Sequence, residues 1–171
     1  MKKLIGSIFV LAILVQAPAA FAQGSASGNI LAQANVLTPV TVTPQQDLDF
    51  GNVIPGTNKS VAITGTTAGR WLVQGTAGAE VDIDFTALPG NLTSGVNNLP
   101  IVYGATDAGH NGPNNPATAT TFNPATGTLA NISNPAATLF VWIGGTVQPA
   151  AAQASGLYTG TVTLTATYTG N

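Results

Sequence analysis

The 171-residue chain carries 6% charged and 44% hydrophobic residues, 20 Gly, 11 Pro and a formal net charge of −2, whereas soluble domains usually carry about 25% charged residues. With only four Lys and Arg in all, it has too little positive charge to neutralise a phosphate backbone, which argues against nucleic acid as a partner. It has no cysteine, so no disulfide framework is available, and stability has to come from core packing or from a strand supplied by a neighbour.

Residues 1–22 read as a secretory signal peptide. Lys2 and Lys3 give a positive start, residues 4–15 form an apolar run, and Ala20-Phe21-Ala22 supplies the small-x-small cleavage pattern. Spanning a membrane needs about 20 apolar residues, and this shorter run is followed closely by Pro18, so a cleaved signal is expected and no membrane span after it. Cleavage between Ala22 and Gln23 leaves 149 residues with a formal charge of −4, and Lys59 and Arg70 are then the only basic groups. This is one domain's worth of chain, enough for a single core. The expected location is outside the cytoplasm, in the periplasm in transit and then at the cell surface or in a fimbrium. A surface with so few charges also has little electrostatic protection against self-association.

Residues 23–37 are expected to form an N-terminal strand. Across residues 24–37 the alternation places Ala26, Gly28, Ile30, Ala32, Ala34 and Val36 on one face and Ser27, Asn29, Leu31, Gln33 and Asn35 on the other. A β-sandwich domain is expected over residues 38–171. A short strand over 40–43 leads to Leu48-Asp49-Phe50-Gly51, where Leu48 and Phe50 share a face. Residues 60–64, 70–74 and 80–85 follow as half-buried strands with Val61 and Ile63, Trp71 and Val73, and Val81, Ile83 and Phe85 inward. Residues 87–98 and 104–137, rich in Gly, Asn, Pro, Ala and Thr, read as long loops interrupted by short strands at 101–103 and 120–122. Residues 138–147 are apolar on both faces and suit one central strand. Residues 157–168 set Tyr158, Val162, Leu164, Ala166 and Tyr168 against a row of threonines. With no useful helical period in the mature chain, the pattern predicts an all-β, immunoglobulin-like sandwich.

Candidates for chemistry are few. His110, the one histidine, lies in Gly109-His110-Asn111-Gly112 and reads as an exposed loop residue, since a triad or metal site needs partners that are scarce here. Glu80, Asp82 and Asp84 alternate along one strand face about 6.6 Å apart, which reads first as a solvated face and second as a calcium site. Trp71 and Trp142 sit in apolar runs and read as core anchors rather than sugar-stacking platforms. The Asn-x-Ser/Thr triplets at Asn58, Asn91 and Asn131 are what an Asn- and Thr-rich chain produces by chance. No catalytic residue, metal or cofactor is expected, and an enzyme is not the expected function.

The two ends of the mature chain offer more. A leading segment with a small apolar face can lie in its own sheet or complete the sheet of another molecule by β-augmentation. Repeated head to tail, such a contact does not close and builds a fibre.

Gly28, Ile30, Ala32, Ala34 and Val36, then Leu48-Asp49-Phe50-Gly51, and last Gly156-Leu157-Tyr158-Thr159-Gly160-Thr161-Val162-Thr163-Leu164-Thr165-Ala166-Thr167-Tyr168 resemble the start, first core motif and last strand of spore coat protein U-like domains. These are the subunits of archaic chaperone-usher pili. The pattern is also similar to that of a related group of uncharacterised secreted bacterial proteins with the same LDFG and terminal GxYxGxVxLTxxY signatures. The matching segments cover roughly a third of the mature chain. The resemblance implies an incomplete immunoglobulin-like pilin, held by a periplasmic chaperone, polymerised at an outer-membrane usher and used in adhesion or biofilm formation. In that scheme Ile30, Ala32, Ala34 and Val36 are the donor-strand residues, and Val162, Leu164, Ala166 and Tyr168 line the acceptor groove. Many members place a cysteine near the position of Thr38 or Pro39, and this chain has none. The alternative expectation is a self-contained periplasmic or surface module that binds carbohydrate or protein through its loops between 87 and 137.

Overall fold

The computed structural model describes residues 24–170. The signal peptide expected at residues 1–22, and its cleavage point before Gln23, lie outside the described residues. By its internal contacts the chain divides into residues 1–35 and 36–171.

In the first unit, residues 24–35 carry no secondary structure and every one of them is exposed. The strand expected over 24–37 is therefore not formed in the single chain. Alternation alone does not make a strand. The backbone N–H and C=O groups need a ladder partner, and without one they remain solvated.

The second unit is all β, with antiparallel pairing throughout its sheets. Five strands form one sheet in the order β1 (Thr41–Gln46), β3 (Gly69–Gln74), β10 (Thr138–Ile143), β7 (Ala108–Asn111) and β8 (Thr120–Phe122). A three-stranded sheet runs β12 (Thr163–Tyr168), β4 (Glu80–Ala87) and β9 (Thr128–Asn131). A four-stranded sheet runs β2 (Lys59–Val61), β11 (Gly145–Val147), β6 (Asn97–Val102) and β5 (Asn91–Ser94). The one helical element among the described residues is a 3-10 turn at Pro116–Thr118, capped by the Asn115 side chain.

The larger core lies between the five- and three-stranded sheets. Strand β4 turns Val81, Ile83 and Phe85 inward, as its period of two requires, against Val73, Leu139, Val141 and Ile143 from β3 and β10. Trp71 and Phe122 flank Phe85 at 5.8 and 6.1 Å between ring centroids. These are separations at which aromatic rings attract beyond simple burial. A second core gathers Phe50, Val61, Leu99, Ile101 and Val147 beside the four-stranded sheet.

Four sequence expectations change here. Residues 138–147 are not one strand: β10 lies in the five-stranded sheet and β11 in the four-stranded one, with Gly144 at the crossing. A Cβ at Gly144 would collide with the Val61 carbonyl oxygen, so the backbone passes there only without a side chain. Residues 91–98, expected as loop, pair with the strand expected at 101–103 to form a hairpin, β5 with β6. Its ladder ends at Ser94↔Asn97, and the turn is Gly95-Val96 with φ +59 at Gly95, the position that a type II′ turn reserves for glycine. His110 is on strand β7, paired to Val141 and Thr120, not in a flexible loop. Residues 157–162 precede β12 rather than belonging to it, apart from an isolated bridge between Thr159 and Thr93. That bridge carries Tyr158 to the second core, away from the face that Val162 and Leu164 share.

Candidate functional site

Strands β1 and β12 are both edges. Among the described residues β1 pairs only with β3 and β12 only with β4, and the two lie beside each other where the five- and three-stranded sheets meet. Each therefore has one side of its backbone unpaired, the situation that invites another strand.

Both edges are apolar but incompletely covered. On β12 Leu164 is buried in the larger core, while Val162, just before the strand, and Ala166 and Tyr168 within it are only half-buried against that core. Thr163, Thr165 and Thr167 point the other way and are exposed. Opposite them, Val40, just before β1, and Val42 within it pack on the same core and are also half-buried. The result is a seam with an apolar floor and two open backbone edges.

Tyr168 closes one end of this seam. Its hydroxyl donates to the Thr38 carbonyl oxygen at 2.7 Å and accepts from the Thr76 N–H at 2.6 Å. The Thr38 N–H in turn donates to Oγ1 of Thr76 at 2.7 Å. Gly75 makes room for this, since a Cβ there would run into the Tyr168 hydroxyl and into Ile132 Cδ1. Thr38 lies just before β1 and Thr76 just after β3, so the tyrosine reaches across from the end of β12 to the start of β1. Such bonds contribute about 1 kcal/mol each. Among the described residues no hydrogen bond crosses the gap at the Val162 end.

All four residues expected to line a groove, Val162, Leu164, Ala166 and Tyr168, fall on the one face of this edge. The four expected donor residues lie in or next to the exposed leading segment, with Ile30 95% and Val36 91% accessible and Ala32 and Ala34 exposed. Sequence reasoning missed the opposite wall, Val40 and Val42, and the Thr38 and Thr76 partners. A terminal tyrosine ending an apolar face was the available signal, because a half-buried phenol seeks a hydrogen-bond partner.

The other candidates are dispersed. Glu80 Oε1 accepts from the Thr169 hydroxyl at 2.9 Å, and Asp82 and Asp84 point to solvent beside Thr167 and Thr165. No group of three or more His, Cys, Asp or Glu among the described residues is arranged to hold a metal ion. His110 is half-buried, with its ring 6.0 Å from that of Phe122, and burial pushes its pKa down. Burial likewise pushes Tyr103 up to about 12, and its hydroxyl has no hydrogen-bond partner among the described residues. Trp71 and Trp142 are 9% and 3% accessible, which removes them as stacking platforms. Asn58, Asn91 and Asn131 are exposed. A shallow depression of about 470 Å³ is lined by Pro113, Asn134, Ala136, Thr138 and the half-buried Phe140, which stacks on Trp142 at 6.1 Å. No described helix is long and apolar enough to cross a membrane.

A search of curated proteins and a search of solved structures each return no match. Residues 40–168, from the first seam residue to the tyrosine that closes it, match the model of a domain of unknown function, DUF4402, and the chain belongs to that family.

Proposed function

We propose that this protein is a structural subunit of a secreted surface fibre, in which the leading segment of one molecule completes the β12 edge of the next. The reading rests on one pairing of features. A segment with alternating apolar residues stands exposed, and an edge strand with the same alternation has its apolar face half-covered and, among the described residues, one side of its backbone unpaired. Backbone ladder bonds would supply strength, and alternate side chains would supply register. The low charge of the chain suits close packing of copies. A periplasmic chaperone and an outer-membrane usher are the proposed assembly partners, adhesion or biofilm formation the proposed use, and the cell surface the proposed location after signal cleavage. Neither catalysis nor a cofactor belongs to this reading.

Size-exclusion chromatography with light scattering tests it directly. The mature chain should form dimers and longer species, and a variant lacking residues 23–37 should stay monomeric. A peptide of residues 24–37 should bind that shortened variant and raise its Tm, while Ala34→Asp should stop assembly without unfolding the subunit. A mature chain that is monomeric at every concentration would sink the proposal.

The depression beside Phe140 favours a second reading, a module that binds carbohydrate or a protein side chain. Phe140 and the Asn134 amide among its lining residues are the groups that would meet such a ligand.

A further inference from the structure

The seam has one closed end and one open end, and the difference bears on how a second copy enters it. At the closed end the Tyr168 side chain spans from β12 to Thr38 and Thr76. Thr38 is also the root from which the chain's own leading segment departs, and it is fixed there through both its N–H and its C=O. Space for another molecule's root is therefore left at the Val162 end.

The geometry points to Tyr168 as a register stop for an incoming strand, which here is residues 30–36 of a second copy of this chain. This rests on the fibre reading and adds to it a direction and a fixed alignment. With the partner's body outside the Val162 end, its strand runs antiparallel to β12 and its N-terminal side points at Tyr168. Ile30, Ala32, Ala34 and Val36 then face Tyr168, Ala166, Leu164 and Val162 in turn. The two runs are equal in length and share the same alternation. A slip of two residues keeps every side chain on its face, so alternation cannot exclude it. A ring held across the end of the seam can.

The absence of cysteine from the chain makes the alignment measurable by mixing single-cysteine variants of the full mature protein, which can join only between molecules. Ala32→Cys mixed with Ala166→Cys is expected to form the predominant disulfide, ahead of Ala34→Cys mixed with Ala166→Cys. Placing Tyr168→Leu in the receiving molecule, which keeps an apolar side chain but cannot reach Thr38, should shift the preferred partner of position 166 from 32 to 34. Tyr168→Phe, which keeps the bulk of the ring but loses its bonds to Thr38 and Thr76, should leave 32 the preferred partner with a reduced lead over 34. A donor shortened by residues 23–29 should retain the same partner, because nothing before Ile30 is engaged, and this arm requires no change in the seam.

An unchanged preference in a folded Tyr168→Leu variant overturns the stop while leaving the fibre reading standing. Loss of the 32–166 disulfide on shortening the donor overturns it as well. The absence of any intermolecular disulfide in the unaltered seam removes the fibre reading and the stop with it.

Discussion

Residues 30–36 and residues 162–168 carry the same simple pattern, an apolar side chain at every second position, and meet opposite fates. In β12 the pattern is realised as a strand, because β4 offers a ladder from Val81 to Ala87 and the larger core takes Leu164. In the leading segment the same pattern gives no secondary structure and leaves Ile30 and Val36 bare. Period-two alternation thus specifies which face will be covered and is silent about what covers it. The partner is the missing quantity.

Substitutions that treat the two regions alike sharpen this contrast. The largest effect is expected in the sandwich: Ile83→Ala removes a side chain with no accessible surface and should cost about 2–5 kcal/mol in urea unfolding, through lost burial and the cavity left behind. An intermediate effect is expected at His110. Its folded pKa lies below the ordinary 6.5 because burial disfavours the charged ring, so the unfolded chain takes up the proton first. Stability should be fully present above about pH 6.5 and fall as the pH drops through that value, and His110→Gln should flatten this part of a pH series of unfolding midpoints. The smallest effect belongs to the leading segment. Ile30→Ala should change monomer unfolding by no more than about 0.5 kcal/mol, as at other exposed positions, yet weaken self-association. A monomer destabilised by Ile30→Ala as much as by Ile83→Ala would mean that the segment is held within its own molecule.

Strands β3 and β4 and the end of β12 were legible in the sequence because their inward residues are large and regularly spaced. The hairpin of β5 and β6 was legible only at its end, in the strand expected at 101–103. Asn91, Asn97 and Asn98 disfavour strands on their own, and of the hairpin only Leu92, Leu99 and Ile101 reach a core. Strand β7 was missed for a related reason: Ala108-Gly109-His110-Asn111 has almost no strand preference and is a strand because β10 and β8 flank it. Of the seam, the β12 face could be read from its alternation. Its closed end could not, since Thr38, Thr76 and Tyr168 are brought together across 92 and 130 positions of chain, and no local pattern announces such a meeting.

The crossing at Gly144 has a consequence for how the molecule comes apart. Because β10 and β11 are separated by this single residue, a length of backbone anchored in the larger core continues directly into the smaller one. The amides of β10 and β11 are therefore expected to exchange as one protected unit, and native-state hydrogen exchange that released β11 well before β10 would show the two layers opening in sequence instead.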